Sequence, residues 1–417
     1  MKKITSIYLI ILPAILISYH GCIKKNEPPV DELLDQPQID YFIATYYFPN
    51  YHVDKRNEQV HGTGWTEWAL VKAAKPKFEG HWQPRVPAWG FTDEADPDVM
   101  AYKIAVAVDH GIDAFIFDWY YYNDGLFLER AIEEGFFGAK NRDWIKFGLM
   151  WANHDWLNIH PVSVSDYQSA EGPELLYPGA ITPETWEQMT DYVIETYFKH
   201  LSYWFIDGAP YFSIYDLTKF LESFGSVEAT ATAVNSFRAK VKNAGFADLH
   251  LNAVIWGNTI LPGPEKTIVT DINQLLQQVG FNSASSYVWV HYVKPDFPVH
   301  DYLNARYTYF NFAEKIADSL DLPYYPNVTI GWDPSPRTEK DEPWEDLGYP
   351  FTGVFINNEP ANVKQALLRA KEYLANHREA DGILQINCWN EWTEGSYLEP
   401  DTAYGMEYLE AIKEIFE

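Results

Sequence analysis

The run Trp389-Asn390-Glu391-Trp392-Thr393-Glu394-Gly395 sets two carboxylates three residues apart among indoles, with a glycine directly after them. In an extended strand, residues three apart point to opposite faces; on a helical turn they share one. Glu391 and Glu394 can therefore cooperate only where a strand has ended and the backbone is turning, which Gly395 permits. Two carboxyls held together in an aromatic, water-poor setting acquire different proton affinities, because burial and like-charge repulsion raise one of them. Such a pair suits acid–base chemistry on a sugar, whose apolar face packs on aromatic rings. The competing reading is a surface turn with solvated glutamates and core tryptophans.

The pair needs a strand to deliver it. Ile383-Leu384-Gln385-Ile386 is a short apolar run of the buried-strand kind. Strands are predicted at 41–48, 112–117, 146–151, 210–215, 250–255, 283–287, 327–330 and 382–387. Helices are predicted over 97–110, 127–134, 183–200, 227–244, 271–279, 301–320, 359–377 and 404–416. Alternation of this kind implies a parallel sheet. Eight units point to an α/β fold, a (β/α)8 TIM barrel forming a single domain over 41–417 with long βα loops. The rival is a doubly wound open sheet, but no glycine-rich phosphate loop follows the first strand. The segment from Pro49 to about Trp89 reads as one long loop without secondary structure.

Most predicted strands end in a polar residue beside an aromatic one: Asp118-Trp119, Asn153-His154-Asp155-Trp156, Trp256-Gly257-Asn258, Trp332-Asp333 and Asn390-Glu391-Trp392. In a barrel these ends converge on the face that carries active sites. The expected substrate-binding set is Tyr46, His52, Trp65, Glu67, Trp68, Asp118, Trp119, Asn153, His154, Trp256, Trp332, Asn390 and Trp392. Trp65, Trp119, Trp256 and Trp392 are expected to line one open cleft with Glu391 and Glu394 at its floor. Glu67, between Trp65 and Trp68, is the rival acid and reads equally as a loop anchor. His52, His154 and His291 lack the spacing of a helical zinc motif, and Asp118, Asp155 and Asp333 form no dense calcium loop. No metal or cofactor is expected.

With these motifs placed, the chain resembles a known family. Tyr46-Tyr47-Phe48-Pro49-Asn50-Tyr51-His52, Gly64-Trp65-Thr66-Glu67-Trp68, Gly80-His81-Trp82-Gln83-Pro84-Arg85, Gly111-Ile112-Asp113-Ala114-Phe115 and the Trp389–Gly395 run together look like the WbsX or glycoside hydrolase family 99-like domain. The closing run also resembles the catalytic stretch of the family 99 endo-α-mannosidases. The resemblance implies a barrel that hydrolyses α-mannoside-like linkages with retention and without metal. It implies Glu391 as general base on the sugar 2-hydroxyl, which attacks its own anomeric carbon, and Glu394 as the acid that protonates the leaving oxygen and then activates water. Thr393 departs from that pattern, where the mannosidases carry histidine, and the WbsX-like branch includes members connected with glycosyl transfer. Two functions follow: a retaining glycoside hydrolase, or a non-catalytic glycan-binding lipoprotein.

Composition narrows the partners. The 59 acidic against 31 basic side chains leave a formal charge of −28, which argues against nucleic acid or an anionic membrane surface as partner. The 16 Trp and 29 Tyr exceed what a core needs and fit a carbohydrate substrate. A monomer is expected. Lys2 and Lys3, the apolar run 7–17 and Gly21-Cys22 read as a lipoprotein signal peptide over 1–22, with a flexible tether over 23–40. Cys22 is the expected lipidation site, placing the protein on the bacterial cell envelope with the anchor as its only membrane contact. Cys388, the other cysteine, reads as a small buried residue. Cys22→Ala is expected to move the protein from the membrane to the soluble fraction; continued partitioning with membranes contradicts the anchor.

Overall fold

The computed structural model describes residues 39–257 and 271–417. The expected signal peptide, the lipidation site Cys22, all but the last two tether residues and Asn258 lie outside the described residues.

Nine parallel strands form the centre: β1 (Phe42–Tyr47), β2 (Ala114–Tyr122), β3 (Lys146–Trp151), β4 (Ala209–Ile214), β5 (His250–Val254), β6 (Ser283–Ser285), β7 (Tyr324–Tyr325), β8 (Asn327–Thr329) and β9 (Ile383–Asn387). Their order is β7-β6-β5-β4-β3-β2-β1-β9-β8. β7 and β8 are two halves of one strand interrupted at Pro326, which has no N–H to give to a ladder. One half pairs with β6 and the other with β9, so this split strand brings the ring round to eight positions. The registers on either side of β1 are Ala44↔Gln385 and Ala44↔Ala114. The fold is the α/β barrel expected from the alternation.

Barrel strands are covered on both faces, which is why they read as apolar runs rather than alternating ones. The interior is nonetheless partly polar, and several of its polar groups satisfy one another. Tyr46 donates to Gln385 Oε1 at 2.5 Å, Gln385 Nε2 to the Tyr211 hydroxyl at 3.1 Å, and Asn252 Nδ2 to Ser213 and Ser285 at 2.8 Å each. Outside the ring lie the helices Pro97–Asp109, Pro183–Val193, Val227–Asn243, Ile272–Val279, Tyr302–Ala317, Pro360–Asn376 and Glu407–Phe416. Side chains of Asp96, Thr182, Ser226, Asp271 and Asp301 accept from the first free backbone N–H groups of five of them.

Two expectations are corrected. The helix expected over 127–134 is replaced by a short strand, Gly125–Phe127, folded back antiparallel on β2, and a π-helical turn, Ala131–Phe136. Asn123-Asp124-Gly125 carries the Asp-Gly pair that favours hairpin turns, with Gly125 at a φ of +107°, and it extends β2 past the rim. The long segment after β1 contains two short helices, Lys55–His61 and Trp68–Ala73, the first capped by Asp54.

The rim loops after β8 and β9 meet backbone to backbone. A Cβ on Gly331 would be driven into the Gly395 carbonyl oxygen and lie 2.7 Å from Asn358 Nδ2. Gly331→Ala is expected to cost about 1–3 kcal/mol of stability by overpacking, read from denaturant unfolding. An unchanged midpoint would contradict this close approach.

Candidate active site

β9 delivers the turn. Asn390–Glu391 pairs antiparallel with Ser396–Tyr397, and Trp392–Glu394 between them is a 3-10 turn. The turn closes at Gly395, whose φ of +65° favours glycine and whose added Cβ would stand 2.9 Å from Asp333 Cβ. The residues beside the glutamates fix the turn. Asn390 accepts from the Phe48 N–H and donates to the Phe48 carbonyl and to Glu94. Trp389 and Trp392 both donate to Glu399, at 3.1 and 2.8 Å. Lys103, fully buried, links Glu399 to Glu94 at 2.6 and 3.0 Å. From the other side, Asp333 accepts from Gln83 Nε2 at 2.8 Å and lies 2.9 Å from His81 Nε2, while Arg85 donates to the Gly395 carbonyl. Burial alone would raise Asp333, but His81, Arg85 and Ser335 outweigh it and hold the carboxyl below the usual range.

Arg337 is the hub. Its Nε and Nη2 donate to Glu67 Oε1 at 3.0 and 2.9 Å, Nη2 also reaches Glu391 Oε1 at 3.3 Å, and Nη1 binds Glu394 and the Tyr349 hydroxyl. Tyr349 in turn donates to Glu394 at 2.7 Å. Glu67 is completed by Asn50 Nδ2 at 2.5 Å and by the Thr393 hydroxyl. On the far side of Glu391, the Tyr287 hydroxyl lies 2.9 Å from Oε2 and 2.7 Å from Asp118.

Arg337, Glu391, Glu394, Asp118, Tyr287 and Tyr349 line one pocket. Its aromatic walls are Phe48, Tyr120, Trp156, Tyr215, Tyr287 and Tyr349, and its polar groups include Asp118, His154, His160, Arg337, Glu391 and Glu394. Burial and the Glu394 charge push Glu391 well up, only partly offset by Arg337. Burial also raises Glu394, and Arg337 and Tyr349 offset this only in part. Both carboxyls are thus pushed up, Glu391 the further, because the shorter Arg337 contact and Tyr349 both face Glu394. Burial and Arg337 push His160 far down, so its imidazole is neutral.

Of the expected site residues, Glu391, Glu394, Asp118 and His154 converge on this pocket. Three others stand directly behind it. Tyr46 packs on Tyr287 at 4.8 Å between ring centres, Trp256 on Tyr215 at 4.8 Å, and Glu67 lies beyond Arg337. The remainder do not line the pocket. Trp119 donates to Tyr197 in the outer layer, Trp332 to Thr352, and Trp68 to the Thr92 carbonyl. Trp392 stacks on Tyr397 at 3.7 Å, and Trp65 on His61 at 4.2 Å. Asn153 and Asn390 serve as backbone clasps. His52 is enclosed with neither ring nitrogen partnered; burial and the Arg130 charge push it down to about 3.

The expected tryptophan cleft is thus corrected. Neighbours in a strand point to opposite faces, so an Asp118 directed inward sends Trp119 outward. The walls come instead from positions of matching parity, such as Tyr120 two residues after Asp118. The period of two was there to find Tyr120. Arg337 was signalled only by Asp333-Pro334-Ser335-Pro336-Arg337 directly after a predicted strand end.

The family model described as glycosyltransferase WbsX matches residues 43–412. Over 393 residues the chain is 27% identical to an uncharacterized protein WxcX of Xanthomonas campestris pv. campestris, covering 89% of this chain and 49% of that protein. The chain spans about half the length of the curated relatives it matches. Among solved structures, an endo-α-mannosidase of family 99 from Bacteroides thetaiotaomicron superposes with a TM-score of 0.54 at 14% identity, over 91% of this chain and 97% of that one. A glycoside hydrolase-like protein superposes with a TM-score of 0.56 at 15% identity, over 93% and 98%. These two likenesses are of fold. The match across nearly all of the barrel places this chain in the WbsX family.

Proposed function

We propose that the protein is a glycoside hydrolase that cleaves a neutral polysaccharide or glycan with retention, using the sugar's own 2-hydroxyl as internal nucleophile. The observation that carries this reading is the placement of Glu391 and Glu394 on one turn at the pocket wall, with proton affinities separated by Arg337 and Tyr349. Of the two solved structures compared above, one is an endo-α-mannosidase and the other is described as glycoside hydrolase-like, which makes an α-mannoside the first substrate to try. The lipid anchor at Cys22, a place on the cell envelope and a monomeric state belong to the same proposal.

Glu391 takes the 2-hydroxyl proton while that oxygen attacks the anomeric carbon. Glu394 gives its proton to the departing glycosidic oxygen, then draws one from the water that opens the intermediate. Glu394 must therefore be charged with a proton when substrate enters.

Transfer from a nucleotide-activated donor, which the family description raises, fits the pocket less well. A diphosphate would face Asp118, Glu391 and Glu394, with Arg337 already shared among three carboxyls and His160 neutral.

Glu394→Gln is expected to lose about 10²–10⁴-fold on substrates with poor leaving groups and far less in the first step on activated ones. Glu391→Gln is expected to lose as much on both. A 2-deoxy substrate is expected to be inert even with an activated leaving group. Normal turnover of the 2-deoxy compound, or a sugar ester trapped on Glu391, would contradict the internal nucleophile.

A further inference from the structure

Tyr287 stands between two acids, 2.7 Å from Asp118 Oδ2 and 2.9 Å from Glu391 Oε2. A phenol has one proton and donates to one partner. The second contact is a hydrogen bond only where that carboxyl carries a proton and donates to the phenol oxygen. One of the two carboxyls is therefore held as the acid.

Asp118 is the better placed to hold it. It is 2% exposed, and Oδ1 has no partner. Arg337 donates to Glu67, Glu391 and Glu394 but not to Asp118. An ionised Asp118 would be a buried charge with a single hydrogen bond, whereas Glu391 has both Tyr287 and Arg337. The charged groups facing Asp118 are Glu391, Glu394 and Arg337; the surrounding phenols of Tyr46, Tyr120 and Tyr215 and the Cys388 thiol are pushed up by burial and stay neutral. Burial raises Asp118 itself well above the usual range, with Tyr287 opposing only in part.

We propose that Asp118 is a positioning residue that keeps a proton, donates it to the Tyr287 oxygen, and so obliges Tyr287 to donate to Glu391. This rests on the reading of Glu391 as base. A hydrogen bond donated to a carboxylate favours its charged form, so the arrangement opposes the burial that pushes Glu391 up. The Asp118 proton stays where it is throughout, and no bond to substrate is made there.

Two measurements decide it. Infrared difference spectra at neutral pH between the wild type and Asp118→Asn are expected to show a protonated-carboxyl band that the variant lacks. No such difference overturns the proposal. In kinetics, Asp118→Leu and Tyr287→Phe are expected to move the acid limb of kcat/KM upward by roughly one pH unit, about a tenfold loss on the acid side. Asp118→Asn, whose amide also donates to Tyr287, is expected to leave the limb at its wild-type position. A limb moved as far by Asn as by Leu overturns it. Should the wild type cleave no glycan, the proposed hydrolase falls alone, because the infrared band still decides the state of Asp118.

Discussion

A single buried guanidinium holds the site together. Arg337 comes from the loop after β8, Glu391 and Glu394 from the turn after β9, and Glu67 from the long segment after β1. Three carboxyls that close, in a setting with little water, would repel one another and draw protons. Arg337 makes the cluster tolerable because its planar fork has donors enough to serve all three at once, which a point-charge lysine lacks. The face of Phe48, 5.3 Å from its central carbon, supports it from below. Loss of the guanidinium would leave buried carboxyls uncompensated, the costly half of a buried ion pair.

The clamp also makes the two glutamates unequal. Glu394 receives Nη1 and the Tyr349 hydroxyl, while Glu391 receives a longer contact and faces Tyr287 and Asp118. Two identical side chains three residues apart thus differ because their neighbours come from different strands. The aromatic walls would give the ring of the proposed sugar substrate an apolar surface to pack on. The local charge balance, like the overall −28, leaves little to hold an anionic donor.

Much of the fold was legible, because buried parallel strands are written as short apolar runs separated by helical stretches. β1, β3, β5 and β9 begin and end within a residue or two of their apolar runs. The region after β2 was not legible, since a two-residue turn reversed the chain where a periodic pattern suggested a helix. In the site, Glu391, Glu394 and Asp118 could be read from their position at strand ends. Trp119 was misread because adjacency in sequence means opposite faces in extended chain, whereas Trp392 lies in the 3-10 turn and stacks on Tyr397. Arg337, 54 residues before Glu391, was marked only by the proline-bearing stretch after a strand end, and its role exists only once β8 and β9 are neighbours.

The central claim is that this rim cluster cleaves a glycosidic bond with net retention. Proton NMR of the purified protein acting on a panel of defined glycans, begun with α-mannosides, tests it most directly. The account predicts a newly released reducing end that first appears in the anomeric configuration of the bond cleaved and then mutarotates. A first product of the opposite configuration, or release of no sugar from any glycan while the folded protein still binds them, would contradict it.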